Sequence, residues 1–220
     1  MVQLPTDPTL DELRDALAPL IARHAAFDGW TLEALAAAAE EAGVDPKIAA
    51  LAYPGGAVNM IDAWFGSIDL GMLAAWPAET LGTLKIRARI QSLVEARIAL
   101  LAPHREALRR ALAVLALPTN APRAARLGWR AADAIWRAAG DAATDYNHYT
   151  KRAMLLGVYA STMLVLVDDE SEDLADTHAF LGRRIDDVMR IEKTKAGFKA
   201  RSEHRLSLTR FIGRLRYPAL

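Results

Sequence analysis

The chain contains no cysteine. That removes disulfide staples, thiolate nucleophiles and sulfur-ligated zinc together. β-Branched alternation, the period-two mark of a strand, is almost absent. No uninterrupted apolar run reaches the roughly 18 residues of a membrane span. There is no net charge either, since 27 Lys and Arg balance 27 Asp and Glu. Residues 1–20 carry Asp7, Asp11, Glu12 and Asp15 against Arg14 alone, which reads as neither a signal peptide nor an Arg-rich transit segment. The sequence has no GxSxG, no P-loop and no GxGxxG. Its five histidines, His24, His104, His148, His178 and His204, form neither HxxxH nor ExxH, so a di-metal bundle site is not encoded. No metal, no cofactor and no catalytic set is expected, and the chain reads as a non-enzyme.

What is present is helical. Ala- and Leu-rich segments with a 3.6-residue period alternate with turn signals, which predicts an all-α fold. Asp7-Pro8 opens a first helix, with Pro19 as a candidate kink and Phe27-Asp28-Gly29 as its end. Thr31 caps a second helix that ends at Gly43. Asp45-Pro46 opens a short third, broken by Pro54-Gly55-Gly56. Longer helices are predicted over about 57–76, 79–101, 103–116, 122–139, 145–167 and 172–190. This suggests an N-terminal unit over 1–56, a helical body over 57–190 and a C-terminal helix over 191–220.

Charge is unevenly distributed. Residues 190–220 hold nine Lys/Arg and two Glu, a net of +7. Leu208, Phe211, Ile212 and Leu215 fall on one arc of a helix there, with Arg210 and Arg214 opposite. A basic amphipathic helix of this kind lies on anionic membrane surfaces, so these six residues are the candidate membrane contacts. Residues 1–60 hold three Lys/Arg and nine Asp/Glu, a net of −6.

The run Gly29-Trp30-Thr31-x-x-x-Leu35-Ala36-x-x-Ala39-x-x-Ala42-Gly43-Val44 resembles the helix-turn-helix entry of TetR-family regulators. Such a motif lays its second helix in a major groove. Here that helix offers Lys47 and little else polar. A net charge of −6 opposes phosphate binding, so no nucleic-acid partner is expected.

The stretch 133–169 carries the most specific signal. A polar, aromatic corner joins two helices, with Gly140 as the C′ residue of the first and Thr144 or Asp145 as the cap of the second. The second helix is apolar almost all round, as a central helix would be. The run A-G-D-x-x-T-D-Y-N-x-Y-T-K-R-A-M over 139–154 and Val158-Tyr159-x-x-Thr162 resemble the C-terminal domain of the ubiquinone-biosynthesis accessory proteins. That family includes the mitochondrial lipid-binding partner of the demethoxyubiquinone hydroxylase. The resemblance continues in Asp173-x-x-Asp176-Thr177-x-Ala179-Phe180-Leu181-x-Arg183-Arg184-Ile185 and Leu115-x-Leu117-Pro118-x-Asn120-x-Pro122. His148 departs from the pattern, standing where the family has Trp.

The resemblance implies a TetR-like fold and an isoprenoid lipid or quinone held among the helices. It also implies a C-terminal amphipathic helix on the membrane and a hydroxylase partner. The candidate lipid contacts are Trp136, Met154, Leu155, Val158, Tyr159, Thr162 and Met163. The candidate partner contacts are Asp141, Asp145, Tyr149 and Arg152, because aromatics beside charges at a helix corner suit an interface. The protein is then expected as a homodimer, peripheral on a bacterial inner membrane from the cytoplasm, or on the matrix side in a mitochondrion. A TetR-type repressor responding to an apolar ligand is the alternative, and a small lipid-acting enzyme the third reading.

Overall fold

A computed structural model describes residue 5, residues 7–142 and residues 146–203, with residues 192 and 195–203 as backbone only. Among the described residues there are ten α-helices and no strand. They are α1 (Leu10–Asp28), α2 (Leu32–Glu41), α3 (Pro46–Ala52), α4 (Ala57–Ala75), α5 (Ala78–Gly82), α6 (Ile86–Leu101), α7 (Arg105–Leu115), α8 (Ala121–Ala138), α9 (Tyr146–Asp168) and α10 (Ala175–Glu203).

Local chemistry sets most of the boundaries. Thr9 and Glu12 form a reciprocal capping box at the start of α1. Thr31 caps α2, and Asp45 caps α3 with Pro46 in its first turn. Pro19 lies on the exposed side of α1, and the helix runs through it without a break. The helix predicted over 79–101 is two helices. The chain leaves helical geometry between Gly82 and Lys85. Arg89 holds that turn by donating to the carbonyls of Gly82 and Leu84, and its remaining nitrogen donates to Ala139 at the end of α8. The helix predicted over 172–190 begins with a short 3-10 turn and continues as α10 to Glu203.

Side-chain ties join the three-helix entry to the body. The Trp30 indole donates to the Ala107 carbonyl at 3.0 Å, and its ring lies 5.3 Å from that of Trp64. Arg14 donates twice to the Ala52 carbonyl, while the Tyr53 hydroxyl donates to the Arg14 carbonyl at 2.7 Å. These contacts lock α3 against α1. One contiguous apolar core then runs from Leu13 in α1 through Met60, Ile61 and Trp64 in α4 to Leu181 and Ile185 in α10.

α9 is long and apolar enough to cross a membrane, with a mean hydropathy of 1.3. Here it is a core helix. It packs against α8 on one side and α10 on the other. Its C-terminal carbonyls are held by cations: Arg109 donates to Val167, and Arg105 to Asp169. The Asp169 carboxylate, buried in turn, accepts from the N–H and hydroxyl of both Ser171 and Thr177. Burial raises this carboxyl, but those four hydrogen bonds outweigh it and hold the group well below the usual carboxylate range.

Candidate functional site

Two features are built on α8 and α9: an apolar cavity, and the polar corner that joins the two helices.

The corner begins with the end of α8. Gly140 takes a left-handed φ of 89°, and Asp141 N–H bonds back to the Trp136 carbonyl. Gly140 N–H bonds to Arg137, completing a Schellman closure that only glycine enters without strain. The closure turns the Asp141 carboxylate inward, where it accepts from Lys151 at 2.8 Å and Arg152 at 3.1 Å. Arg152 also donates to Asp133 at 2.6 Å, and Asp133 is shared with Arg137. Burial raises both carboxyls, but hydrogen bonds from Lys151, Arg152 and Arg137 outweigh it and hold each below the usual range.

This corrects two expected contacts. Arg152 is 1% exposed and the Asp141 side chain 6%, so neither presents itself to a partner. They are the ionic base on which the corner rests. What projects from it is aromatic. Tyr149 is 61% exposed and Tyr146 78%. Tyr149 lies 6.1 Å from the Trp129 ring and 5.1 Å from the His148 ring. Asp145 lies outside the described residues, as do Thr144 and all six candidate membrane residues, Leu208, Arg210, Phe211, Ile212, Arg214 and Leu215.

The cavity has a volume of about 300 Å³ and is open on one side. Its walls are Leu112 and Leu115 of α7 with Ala116 just after it, Ala124, Leu127, Gly128 and Ala131 of α8, and Leu156, Tyr159, Ala160, Met163 and Leu164 of α9. Ala116, Ala160 and Leu164 are exposed and mark the mouth. Phe65 and Asp69 of α4 and Arg97 of α6 close the floor. Gly128 on α8 leaves room for the end of the Leu156 side chain from α9. A Cβ there would stand 2.2 Å from Leu156 Cδ1.

The floor is polar in an otherwise apolar space. Arg97 is almost fully buried and pairs with Asp69. Its guanidinium lies 4.9 Å from the centre of the Tyr159 ring. Asp69 also accepts from Arg130 at 3.2 Å, and Arg130 reaches Asp62 as well. Two buried donors, Arg97 Nε and Tyr159 Oη, meet no partner at hydrogen-bond geometry among the described residues, although the two side chains attract each other.

Of the seven expected lipid contacts, Tyr159 and Met163 line this cavity. Trp136, Leu155 and Val158 pack instead against α6 and α10, around a gap of only about 10 Å³. Thr162 is buried with its hydroxyl donating to the Val158 carbonyl, and Met154 is half-buried against the core. The reason is rotational. At about 100° per residue, Leu156, Tyr159, Ala160, Met163 and Leu164 share one arc of α9, while Leu155, Val158 and Thr162 lie on another. Phe65, Asp69 and Arg97 carried no motif that marked them. Their meeting is made by tertiary packing alone. Among the described residues, no group of three or more His, Asp or Glu side chains lies together in a way that could hold a metal.

A protein-family model described as COQ9 matches residues 121–192, which contain both the corner and the α9 wall. The ubiquinone biosynthesis protein COQ9, mitochondrial, of Rattus norvegicus is 34% identical over 181 residues, covering 80% of this chain and 58% of the relative. That of Homo sapiens is 35% identical over 182 residues, covering 80% and 57%. That of Drosophila melanogaster is 26% identical, covering 83% and 57%. The chain thus spans little more than half the length of these curated relatives. Among solved structures, a TetR transcriptional regulator from Nitrosomonas europaea superimposes with a TM-score of 0.62 at 26% identity, covering 79% of this chain and 95% of that one. The fold is TetR-like.

Proposed function

We propose that this relative of the COQ9 proteins is a non-enzymatic accessory protein of ubiquinone biosynthesis, holding an isoprenoid quinone intermediate in the α4–α9 cavity. The observation that carries this reading is the cavity itself. At about 300 Å³, apolar on its walls and polar only at its floor, it sits at the small end of ligand pockets. Its mouth is rimmed by the exposed Leu164, with Leu117 also exposed, so a long tail can leave the cavity over apolar surface. The names of the relatives support the pathway.

In this reading the ligand is presented at a membrane to the demethoxyubiquinone hydroxylase. Tyr149 and its aromatic neighbours form the docking surface, and the basic tail over 191–220 supplies the membrane contact. The protein acts as a homodimer, on the matrix side where the setting is mitochondrial; the relatives' names say only that they themselves are mitochondrial. Extraction of the natively purified protein followed by mass spectrometry tests it. An isoprenoid quinone or its precursor is expected, and recovery of no lipid overturns the reading.

A second reading is favoured by the structural neighbour: a repressor released by an apolar ligand. The helix that would enter the groove, α3, presents Lys47 beside exposed Ile48 and Leu51. A head with net −6 and one cation on its reading helix repels phosphate rather than attracting it. Fluorescence anisotropy with duplex DNA at physiological salt distinguishes the two. Sequence-dependent nanomolar binding would favour the repressor.

A further inference from the structure

We propose that Arg97 and Tyr159 form a donor socket at the cavity floor, which selects a neutral, carbonyl-bearing ring as the ligand's head group and seats that head inward. The inference rests on the cavity reading above and says what the cavity selects.

The argument begins with underused donors. Arg97 Nε–H and the Tyr159 hydroxyl are both buried and both belong to residues lining the cavity; the two side chains attract each other, but neither atom meets a partner at hydrogen-bond geometry among the described residues. Buried polar groups without partners are rare in folded proteins. A guanidinium N–H only donates, and a phenol is the better donor in an apolar setting. The group that satisfies them is therefore an acceptor. An ammonium head would meet the Arg97 guanidinium at the same floor and be repelled by it, while Asp69 is already paired with Arg97 and Arg130.

Charge narrows the choice further. The floor is balanced: Arg97 and Arg130 face Asp69 and Asp62. A carboxylate or phosphate head would enter as an uncompensated charge among apolar walls. A neutral oxygen acceptor brings no such cost. The flat rings of Phe65 and Tyr159 border the same space, which suits a flat head. A quinone or other ring carbonyl meets every condition, and its apolar tail then points to the mouth at Ala160 and Leu164.

The test uses the delipidated full chain and a matched pair of probes, 2,3,5-trimethyl-6-hexyl-1,4-benzoquinone and the benzene carrying the same four substituents without the oxygens. Isothermal titration calorimetry measures both against wild type and Tyr159→Phe. That substitution keeps the ring that the Arg97 guanidinium faces and removes an oxygen that makes no well-aligned hydrogen bond, so the melting temperature should fall by no more than a few degrees. Wild type should bind the quinone more tightly than the hydrocarbon. Tyr159→Phe should weaken the quinone about five- to ten-fold, the worth of one hydrogen bond, and leave the hydrocarbon unchanged. The quinone carbonyl band in the infrared should move to lower frequency on binding wild type and move less in the variant. If wild type binds the two probes equally, or Tyr159→Phe keeps both the quinone affinity and the band shift, the socket is refuted while the cavity reading stands. If wild type binds neither probe, the cavity reading fails and this inference with it.

Discussion

Replacing Arg152 with Met keeps the length and apolar stem of the side chain and deletes its charge. In the folded protein that charge serves two carboxylates, Asp133 at 2.6 Å and Asp141 at 3.1 Å, and its Nη1 also donates to the His148 carbonyl at 3.2 Å. Removing one partner from a buried ion pair costs about 3–5 kcal/mol, because the other is left buried and uncompensated. Here each carboxylate keeps a second cation: Arg137 at 2.8 Å for Asp133 and Lys151 at 2.8 Å for Asp141. The loss should therefore sit at the lower end, about 3 kcal/mol. In a chain of this size each kcal/mol moves the melting temperature by about 2–4 °C, so a drop of roughly 6–12 °C is expected by circular dichroism at pH 7. The pH dependence follows in sign. Both carboxyls are depressed in the fold, so their contribution is complete above the unfolded value of about 3.9 and is lost as pH falls through the folded values. The gap between wild type and variant should narrow below about pH 4. A loss under about 1 kcal/mol at pH 7 would refute a buried cluster, since that is the range of exposed pairs. A gap that stays constant into acid would refute it equally.

Met163→Trp and Val158→Trp should separate cleanly although both lie on α9. The first fills the cavity and lowers lipid recovery on extraction, whereas the second overpacks the α10 contact and costs about 1–3 kcal/mol of stability. Tyr149→Ala should leave stability within about 0.5 kcal/mol, since the ring is exposed, yet weaken hydroxylase binding by more than about 2 kcal/mol in a pull-down or calorimetric titration. Asp169→Ala should cost about 2–3 kcal/mol and raise hydrogen exchange at the start of α10, because it removes the acceptor of two backbone and two hydroxyl donors. A chain ending near Arg190 should lose salt-sensitive co-sedimentation with anionic liposomes, and equal sedimentation of both forms would rule out the tail as anchor.

The fold was open to reading because its determinants are local. Helical period marked the all-α class, and Asp45-Pro46 and Gly140 announced their boundaries through chemistry that acts within four residues. Thr9-Leu10-Asp11-Glu12 carried an equally local signal, the capping box, that places the start of α1 two residues beyond Asp7-Pro8. The break at Gly82 was harder. No proline marks it, and the turn is held by Arg89 from the following helix. The cavity lay beyond sequence patterning for a different reason. A helix that is apolar all round, as α9 nearly is, gives no phase from which to choose a face. Tyr159 and Met163 look like Leu155 and Val158 until α8 and α10 have taken their sides. The pairing of Arg97 with Asp69 spans 28 positions and two helices, so neither residue signals the other. Likewise Arg152 and Asp141 read as surface charges; the Schellman turn at Gly140 sends Asp141 inward, where it meets Arg152 on the buried side of α9.

The three carbonyls that Arg89 gathers give that residue a mechanical role. Two belong to the turn between α5 and α6, at Gly82 and Leu84, and the third to Ala139, at the root of the aromatic corner. A Cβ on Gly140 would stand 3.3 Å from the same guanidinium, so the corner backbone is seated directly on it. One rigid, planar cation thus knots two loops separated by more than fifty positions. An opening that displaces Arg89 itself releases hydrogen bonds in both loops in the same event, and the amides around both should then exchange with solvent together. A lysine could keep the charge but has no flat fork to grip three carbonyls at once.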